Sequence, residues 1–298
     1  MKKFIKKTTI YLILTLSSLV MLDVLYTLIY SNSQVRDKVQ FMLNSPPKHY
    51  DAIILGSSRA ENHVIPEIFK RQGLNVYNFG MSGGSLCDDS LLLKLFFEKG
   101  NTVDIILLQV DLQFLNEGPA EGIQARFLPY LPFNKTIYNH YIDNTKNSIA
   151  LAYFPFYRYC KLDSKIGFRE LLMTLMSQKG KFYDTNGYAP SNGLLHNYKK
   201  INLPLEVRQK NKYYDEIVAT SKQNSAELIS FMAPICSYTN NRDFFSKLKQ
   251  KVPELYDYSN FIKVDSMFAS CGHLNEKGAR VFTSMLLNKH FVVKKNKV

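Results

Sequence analysis

Hydrophobic residues dominate one long stretch near the N-terminus, from about residue 8 to residue 30. A helix of these 23 residues would be about 34 Å long, which exceeds the about 30 Å of a bilayer core. Lysines at positions 2, 3, 6 and 7 precede it, and positive charge there keeps an N-terminus in the cytoplasm. The pattern predicts a cytoplasmic tail over 1–7 and a single-pass transmembrane anchor over 8–30, with the rest of the chain outside. A cleaved signal peptide is the competing interpretation, but the long apolar stretch and the lack of an Ala-x-Ala site favour the anchor.

One acidic residue, Asp23, interrupts the apolar stretch, and a carboxylate is costly in lipid. Its side chain either reaches the outer interface or pairs with another membrane protein. The polar residues 31–48, which end in Ser45-Pro46-Pro47, are predicted to be a membrane-proximal linker.

From residue 49 the pattern changes to short apolar runs, each followed by turn residues and most of them by an amphipathic segment. Such runs are typical of buried parallel strands that alternate with helices. The fold class is therefore α/β, a three-layer sandwich with a central parallel sheet, and the domain covers 49–298. The predicted strands are 52–55, 75–77, 104–110, 226–233 and 261–264.

Two helix starts can be read from capping residues. Ser85, followed by Asp88 and Asp89, predicts the start of one helix, and Asn275 predicts the cap of the last helix.

The alternation breaks over 116–205, a stretch with several prolines and many aromatic residues. We interpret it as an insertion of helices and long loops. Its aromatic side chains either line a site for sugar rings or fill the small core of the insertion.

Small and polar residues follow the strands at the edge where open α/β sheets place their chemistry. Gly56-Ser57-Ser58 follows the first strand, and Asn78-Phe79-Gly80-Met81-Ser82-Gly83-Gly84 follows the second. His273 lies just before the last predicted helix. A serine held in this way is a nucleophile if a base can reach it, and otherwise the segment is only a turn of small residues.

These three stretches together resemble the SGNH (GDSL-like) hydrolase family, over about residues 49 to 290. The resemblance implies that Ser58 is the nucleophile and His273 the base, and that the N–H groups of Ser58 and Gly83 form the oxyanion hole. With an N-terminal anchor, Gly-Ser-Ser looks similar to the membrane-anchored branch that includes the D-alanyl transfer protein and exopolysaccharide O-acetyltransferases.

The chain departs from the family pattern at two places. The family's Asp three residues before the His is Ser270 here, whose hydroxyl can still hydrogen-bond the imidazole but offers no charge. Asp265 is a candidate substitute for the Asp, or the enzyme works as a Ser-His dyad. The Asn of the family's third block has no clear counterpart, and neither Asp111 nor Gln113 can be assigned to it.

Two further side chains follow Ser58 closely. Arg59 either binds an anionic part of the substrate, where Asp111 is a second candidate, or forms a salt bridge with Glu61 or Glu67. His63 is interpreted as a surface or helix-start residue.

The net charge of +13 is high for a chain of this length. An anionic membrane surface or envelope polymer fits it better than nucleic acid, for which no binding motif is present, and simple solubility is the alternative explanation. The four cysteines have no metal-ligand spacing, so no metal site is predicted. Cys271 is interpreted as a buried thiol, and the sequence leaves disulfide pairing open.

The resemblance implies a cofactor-free O-acyltransferase or esterase of the cell membrane that acts outside on a polysaccharide or acylated envelope polymer. A multi-span membrane acyltransferase is a candidate partner. A catalytically inactive module that binds polysaccharide or such a partner is the first alternative, and a membrane-anchored scaffold is the second.

Overall fold

The computed structural model describes residues 1–144, 148–193 and 200–291. The chain divides into two compact units, one of Met1–Ser45 with Glu121–Gly180 and one of Pro46–Ala120 with Lys181–Val298. The strands are β1 (His49–Leu55), β2 (Val76–Asn78), β3 (Thr102–Gln109), β4 (Ile201–Asn202), β5 (Glu227–Met232), β6 (Thr239–Asn240), β7 (Tyr256–Asp257), β8 (Phe268–Ser270) and β9 (His273–Leu274).

Helices occur in both units. In chain order they are α1 (Lys2–Asn32), α2 (Lys38–Asn44), α3 (Ser58–His63), α4 (Pro66–Lys70), α5 (Leu86–Glu98), α6 (Glu121–Phe127), α7 (Lys135–Asn144), α8 (Ser148–Tyr153), α9 (Tyr157–Lys161), α10 (Asp163–Ile166), α11 (Phe168–Leu175), α12 (Lys212–Gln223), α13 (Asp243–Lys251) and α14 (Glu276–His290). Short 3₁₀ turns cover Leu112–Leu115, Leu128–Tyr130, Tyr183–Thr185 and Asp265–Met267.

A five-stranded parallel sheet is the centre of the second unit, with strand order β2-β1-β3-β5-β7. The α/β class and the central parallel sheet that the sequence predicts are therefore confirmed. Four consecutive residues of β1, Ala52 to Leu55, are fully buried, so both faces of the sheet are covered. The small pairs β4–β6 and β8–β9 lie outside this sheet.

The last predicted strand, 261–264, is wrong. The edge strand is β7, which pairs with the end of β5 through Phe231 and Met232. Phe261 and Val264 are exposed, because the chain has already turned away from the sheet after Tyr258 donates its N–H to Met232 O at 3.1 Å. A short apolar run does not by itself show which part of it reaches the sheet edge.

The predicted helix starts are confirmed. Ser85 and Asp88 form a reciprocal capping box at the start of α5, and Asn275 Oδ1 accepts the N–H of Gly278 at 3.1 Å at the start of α14. Phe282 and Leu286 of α14 are buried in a core cluster that also contains Ile54 of β1. This packing fixes the loop that precedes α14 relative to the carboxyl end of β1.

The first unit is helical and contains α1, the one helix among the described residues that is long and apolar enough to cross a membrane. The C-terminal turns of α1 pack against the rest of this unit, because Tyr26 and Tyr30 are buried against Tyr159 at ring-centroid distances of 5.0 and 6.0 Å. Asp23 accepts hydrogen bonds from Arg158 and from the N–H of Phe156. The partner of Asp23 is thus in the same chain, which neither sequence interpretation had considered.

Residues 31–48 are not the linker that the sequence predicts. Residues Lys38 to Asn44 form α2, which Asp37 caps by accepting the N–H of Gln40 at 2.9 Å. Val39 and Met42 are buried, so this helix is part of the core of the first unit. A helix of seven residues covers only about two turns, which is too short to give a clear periodic signal.

Of the predicted insertion, 116–205, only Glu121–Gly180 belong to the helical unit. The residues up to Ala120 and those from Lys181 onward belong to the unit that contains the sheet. Positions 145–147 and 194–199 lie outside the described residues. Some of its aromatic side chains fill a core, which is one of the two uses that the sequence left open. Phe127, Tyr130 and Tyr159 are core residues, whereas other aromatic side chains, Phe133, Tyr153 and Phe154, are exposed.

Candidate active site

Ser58 lies at the sharp turn that follows β1. The turn needs Gly56, whose φ is +135° and at which a Cβ would meet the Gln109 Cβ at 2.8 Å. Ser57 is the N-cap of α3, and Ser58 is the first residue of that helix. The Ser58 N–H therefore has no intrahelical acceptor, and the hydroxyl is held at a rigid strand end.

His273 reaches Ser58 from the other end of the chain. Its Nε2 lies 2.8 Å from Ser58 Oγ, and its Nδ1 lies 3.0 Å from Ser270 Oγ. With the ring proton on Nδ1, the imidazole donates to Ser270 and is free to accept the proton of Ser58. The structure therefore brings the predicted nucleophile and base together, with Ser270 at the position that orients the base.

Asp265, the other candidate for orienting His273, lies elsewhere. Its carboxylate accepts a hydrogen bond from Ser237 Oγ at 3.1 Å. The arrangement is Ser58–His273–Ser270, in which the third member supplies a hydrogen bond but no charge.

Burial and the positive charge of Arg59 lower the pKa of His273 below its ordinary value of 6.5, and the charge of Asp111 partly opposes them. The imidazole is consequently neutral at neutral pH, which is the form that accepts a proton.

Gly83 lies in the turn that follows β2 and borders the same cavity as Ser58. Its φ is +79°, and Gly84 N donates to Met81 O at 2.8 Å to close the turn. Glu61 of α3 accepts hydrogen bonds from the N–H and the hydroxyl of Ser82. Among the described residues neither the Ser58 nor the Gly83 N–H donates to a protein acceptor, so both are available to a ligand oxygen.

Arg59 pairs with Asp111 rather than with Glu61 or Glu67. Its guanidinium also donates to the carbonyl groups of Ala233 at 2.6 Å and Pro234 at 2.8 Å. Both charged side chains are buried. The pair therefore joins the segments that follow β1, β3 and β5 at the edge of the site, and both residues border the cavity.

His63 is fully buried, and its interpretation as a surface or helix-start residue was wrong about exposure, although it does end α3. Its Nε2 accepts the N–H of Leu274 at 3.0 Å, directly after the base, and the two imidazole rings are 6.2 Å apart. Burial, and then the charges of Arg59 and His273, hold the pKa of His63 well below 6.5. Sequence reasoning missed this role because the contact joins positions 211 residues apart.

A disulfide joins Cys236 to Cys271, with the two Cα atoms 4.8 Å apart, so Cys271 is not a free thiol. Cys236 N also donates to Cys271 O at 3.0 Å. The bond attaches the loop of the base, two residues before His273, to the segment that follows β5. No sequence signal pointed to this pairing, because the two cysteines have no characteristic spacing.

Polar side chains from neighbouring elements support the turn beneath Ser58. Gln109 Oε1 accepts hydrogen bonds from the N–H and hydroxyl of Ser57 at 3.0 and 2.8 Å, and Asp89 accepts the N–H of Gly56 at 3.1 Å. Burial, together with the neighbouring Asp88, raises the pKa of Asp89 to about 8. Gln113, a candidate in the third block, donates to Gly84 O at 3.0 Å and so supports the oxyanion loop.

A cavity of about 630 Å³ opens in front of Ser58 and His273. This volume is within the range of small-molecule sites. Ser58, Arg59, Gly83, Asp111 and His273 form one part of its walls. The segment that follows β3 forms another part with both apolar and polar residues, namely Leu112, Gln113, Asn116, Glu117, Gly118, Pro119 and Ala120, and Ile201 of β4 and Ile235 after β5 also border the cavity.

One group of side chains in the described ranges has donor atoms close enough for a metal ion. His49, Asp51 and Asp104 lie within 4.8 Å of one another near the amino ends of β1 and β3. The carboxyl ends of these strands carry the Ser58 site, so this group has no part in it.

The sequence matches no protein-family model and shows no significant similarity to a curated protein. The functional argument therefore depends on the residues and geometry of this chain.

Proposed function

We propose that this chain is a membrane-anchored serine acyl-transfer enzyme, an O-acyltransferase or esterase of the SGNH type with the sandwich fold of that family. The observation that carries the proposal is the hydrogen-bonded series Ser58 Oγ–His273 Nε2 and His273 Nδ1–Ser270 Oγ, with separations of 2.8 and 3.0 Å. Nucleophile, base and orienting group in this order are the requirement for serine acyl transfer.

In the proposed reaction Ser58 Oγ attacks the carbonyl carbon of an ester, and its proton passes to His273 Nε2. The oxyanion of the tetrahedral intermediate accepts hydrogen bonds from the N–H groups of Ser58 and Gly83, each worth about 10²–10³ in rate. The bond to the alcohol breaks as His273 returns the proton to it. The acyl group on Ser58 is then attacked by an acceptor hydroxyl or by water, and His273 takes that proton. The bond from the acyl carbon to Ser58 Oγ breaks as His273 gives the proton back to Ser58 Oγ.

The proposed substrate is a polysaccharide or acylated polymer of the cell envelope. The membrane-spanning length of α1 and the four lysines before its apolar part support an enzyme outside the cell membrane with its N-terminus in the cytoplasm. The Cys236–Cys271 disulfide supports the same location, because such bonds persist in oxidising compartments.

Labelling with a fluorophosphonate tests the catalytic proposal. The probe forms a bond from Ser58 Oγ to phosphorus and releases fluoride only if the serine is activated. We expect labelling of the full chain in detergent, none in Ser58→Ala, and a rate at least about 10²-fold lower in His273→Ala.

Ser246→Ala is the matched control, because this exposed hydroxyl of α13 donates to Asp243 O and does not border the cavity. It should still be labelled. A folded wild-type protein that is not labelled, or one whose labelling survives Ser58→Ala, would contradict the proposal.

The alternative is a catalytically inactive module that binds polysaccharide or a multi-span membrane acyltransferase. The observation that favours it is the neutral Ser270 where serine enzymes carry a carboxylate. Binding of polysaccharide by a folded chain that shows no labelling would select this alternative.

A further inference from the structure

An apolar stripe lies on the outer side of α11. Phe168, Leu172, Leu175 and Met176 are exposed by 62, 41, 58 and 75%, and their spacing places them on one side of the helix. The opposite side packs inward through Leu171 and Thr174. A surface helix normally presents polar residues to water, so this stripe needs an apolar environment.

The N-terminal half of α11 lies beside the end of α1. Tyr30 Oη donates to Gly167 O at 3.4 Å, and Arg36 pairs with Glu170 at 2.8 Å. The start of α11 is therefore attached to the C-terminal end of the helix that we propose to cross the membrane.

The segment that precedes α11 contacts α1 at Asp23, about two helical turns before Tyr30. Arg158 pairs with Asp23, and Phe156 donates its N–H to Asp23 Oδ2 at 2.7 Å. Tyr153 and Phe154, just before these residues, are exposed aromatic side chains.

The rise of the helix gives the depth of this contact. From Lys7 to Asp23 an α-helix rises about 24 Å, which is less than the about 30 Å of a bilayer core. If the inner boundary of the core lies at Lys7, its outer boundary lies near Thr27, beyond Asp23. The residues packed on Asp23 must then lie at or below the outer boundary of the core.

We propose that residues 148–176, here called the collar, insert into the outer leaflet of the bilayer. The apolar stripe of α11 and the side chains of Tyr153 and Phe154 contact lipid, and the Asp23–Arg158 pair satisfies both charges within the protein. The inference rests on the proposed membrane anchor and is independent of acyl transfer. Exposed Lys161 and Lys165 suit the lipid phosphates at this level.

The chain contains no tryptophan, so a single introduced tryptophan reports its own depth. Leu172→Trp and Phe154→Trp test the collar, Leu16→Trp tests the anchor, and Val281→Trp, at a partly exposed position of α14, is the reference. Each full-length variant is reconstituted in phosphatidylcholine–phosphatidylglycerol vesicles with and without brominated acyl chains.

Interfacial helices bury their apolar side about 5–10 Å below the headgroup level, so bromines should reduce the emission of Leu172→Trp and Phe154→Trp roughly two-fold or more. The emission of Val281→Trp should change little. Quenching of Leu16→Trp without quenching at positions 172 and 154 would overturn the collar and leave the anchor standing.

Two other outcomes also overturn the inference. If bromines do not quench the emission of Leu16→Trp, the proposed anchor is wrong, and the collar is wrong with it. A blue-shifted but unquenched tryptophan at position 172 would mean that a protein, and not lipid, covers the stripe.

Discussion

Each unit contains a buried arginine paired with an aspartate, and the two pairs differ in what surrounds them. Arg59 and Asp111 are both almost fully buried, and the guanidinium also donates to two backbone carbonyl groups. Arg158 is equally buried, but Asp23 keeps 16% of its side-chain area exposed, and each aspartate also accepts one backbone N–H. The first pair joins three loops at the carboxyl edge of the sheet, whereas the second attaches α9 to α1.

The comparison shows how the same pair of residue types serves two purposes. A buried pair is costly to desolvate and is more costly to break, so it fixes the segments that carry it. In the unit that contains the sheet, the pair fixes the edge of a cavity and adjusts the charge near His273. In the helical unit it allows a carboxylate to be placed within an apolar helix.

Removal of either arginine should have the largest effect on the free energy of unfolding, and the two losses should differ. Arg59→Met leaves Asp111 buried without its cation, and we expect a loss of about 3–5 kcal/mol in the free energy of unfolding. Arg158→Met should cost less, about 1–3 kcal/mol, because 16% of the Asp23 side chain remains exposed, whereas Asp111 is almost fully buried. Calorimetric unfolding of the full chain in detergent micelles measures both.

Arg280→Met is the matched control for these two variants. Arg280 pairs with Glu276 on the exposed side of α14, and its loss should cost no more than about 1 kcal/mol. Equal destabilisation by all three variants would show that burial does not distinguish the pairs.

Substitution of Ser270 should have the next largest effect, because it changes the one orienting group of the base. Ser270→Ala should slow fluorophosphonate labelling about 10–100-fold, less than the about 10⁴-fold that follows loss of a charged orienting Asp in serine proteases. Ser270→Asp should label faster than the wild type, since a carboxylate stabilises the imidazolium. Asp265→Asn is the control and should label normally, because its partner is Ser237.

The smallest expected effect is on pH dependence. The labelling rate should rise with pH as His273 loses its proton, with a midpoint below 6.5 because burial and Arg59 lower its pKa, and should be constant at neutral pH. Asp111→Asn should move the midpoint lower still, since the Asp111 charge raises the pKa of His273. Asp23→Asn should not move it. A rate that falls with pH over this range would exclude His273 as the base.

Much of the site could be predicted from the sequence, because its main residues follow local rules. Gly56 and Ser58 follow a buried strand, and Asn275 caps the helix after His273. Such features depend on a few neighbouring residues and on the alternation of strands and helices. The roles of Ser58 as nucleophile and His273 as base, in contrast, are implied by the resemblance to the SGNH family and stay a proposal.

The partners of the charged and polar residues could not be predicted in the same way. Arg59 had nearby carboxylates at positions 61 and 67, yet it pairs with Asp111, 52 residues away. The role of His63 and the Cys236–Cys271 bond are likewise set by contacts between distant segments. Sequence spacing has no bearing on which of several equivalent groups the packed core brings together.

The sequence by itself determined that an apolar helix long enough to cross a membrane lies near the N-terminus, although not its bounds, that parallel strands form the centre of a sheet, and which residues lie at the carboxyl ends of these strands. It did so because helix length, strand burial and capping are local properties of the chain. Only the tertiary structure decided that Ser270 orients His273, that Asp23 has its partner in Arg158, and that residues 38–44 form a packed helix. The physical reason is that these contacts depend on how separate segments pack, which no short stretch of sequence specifies.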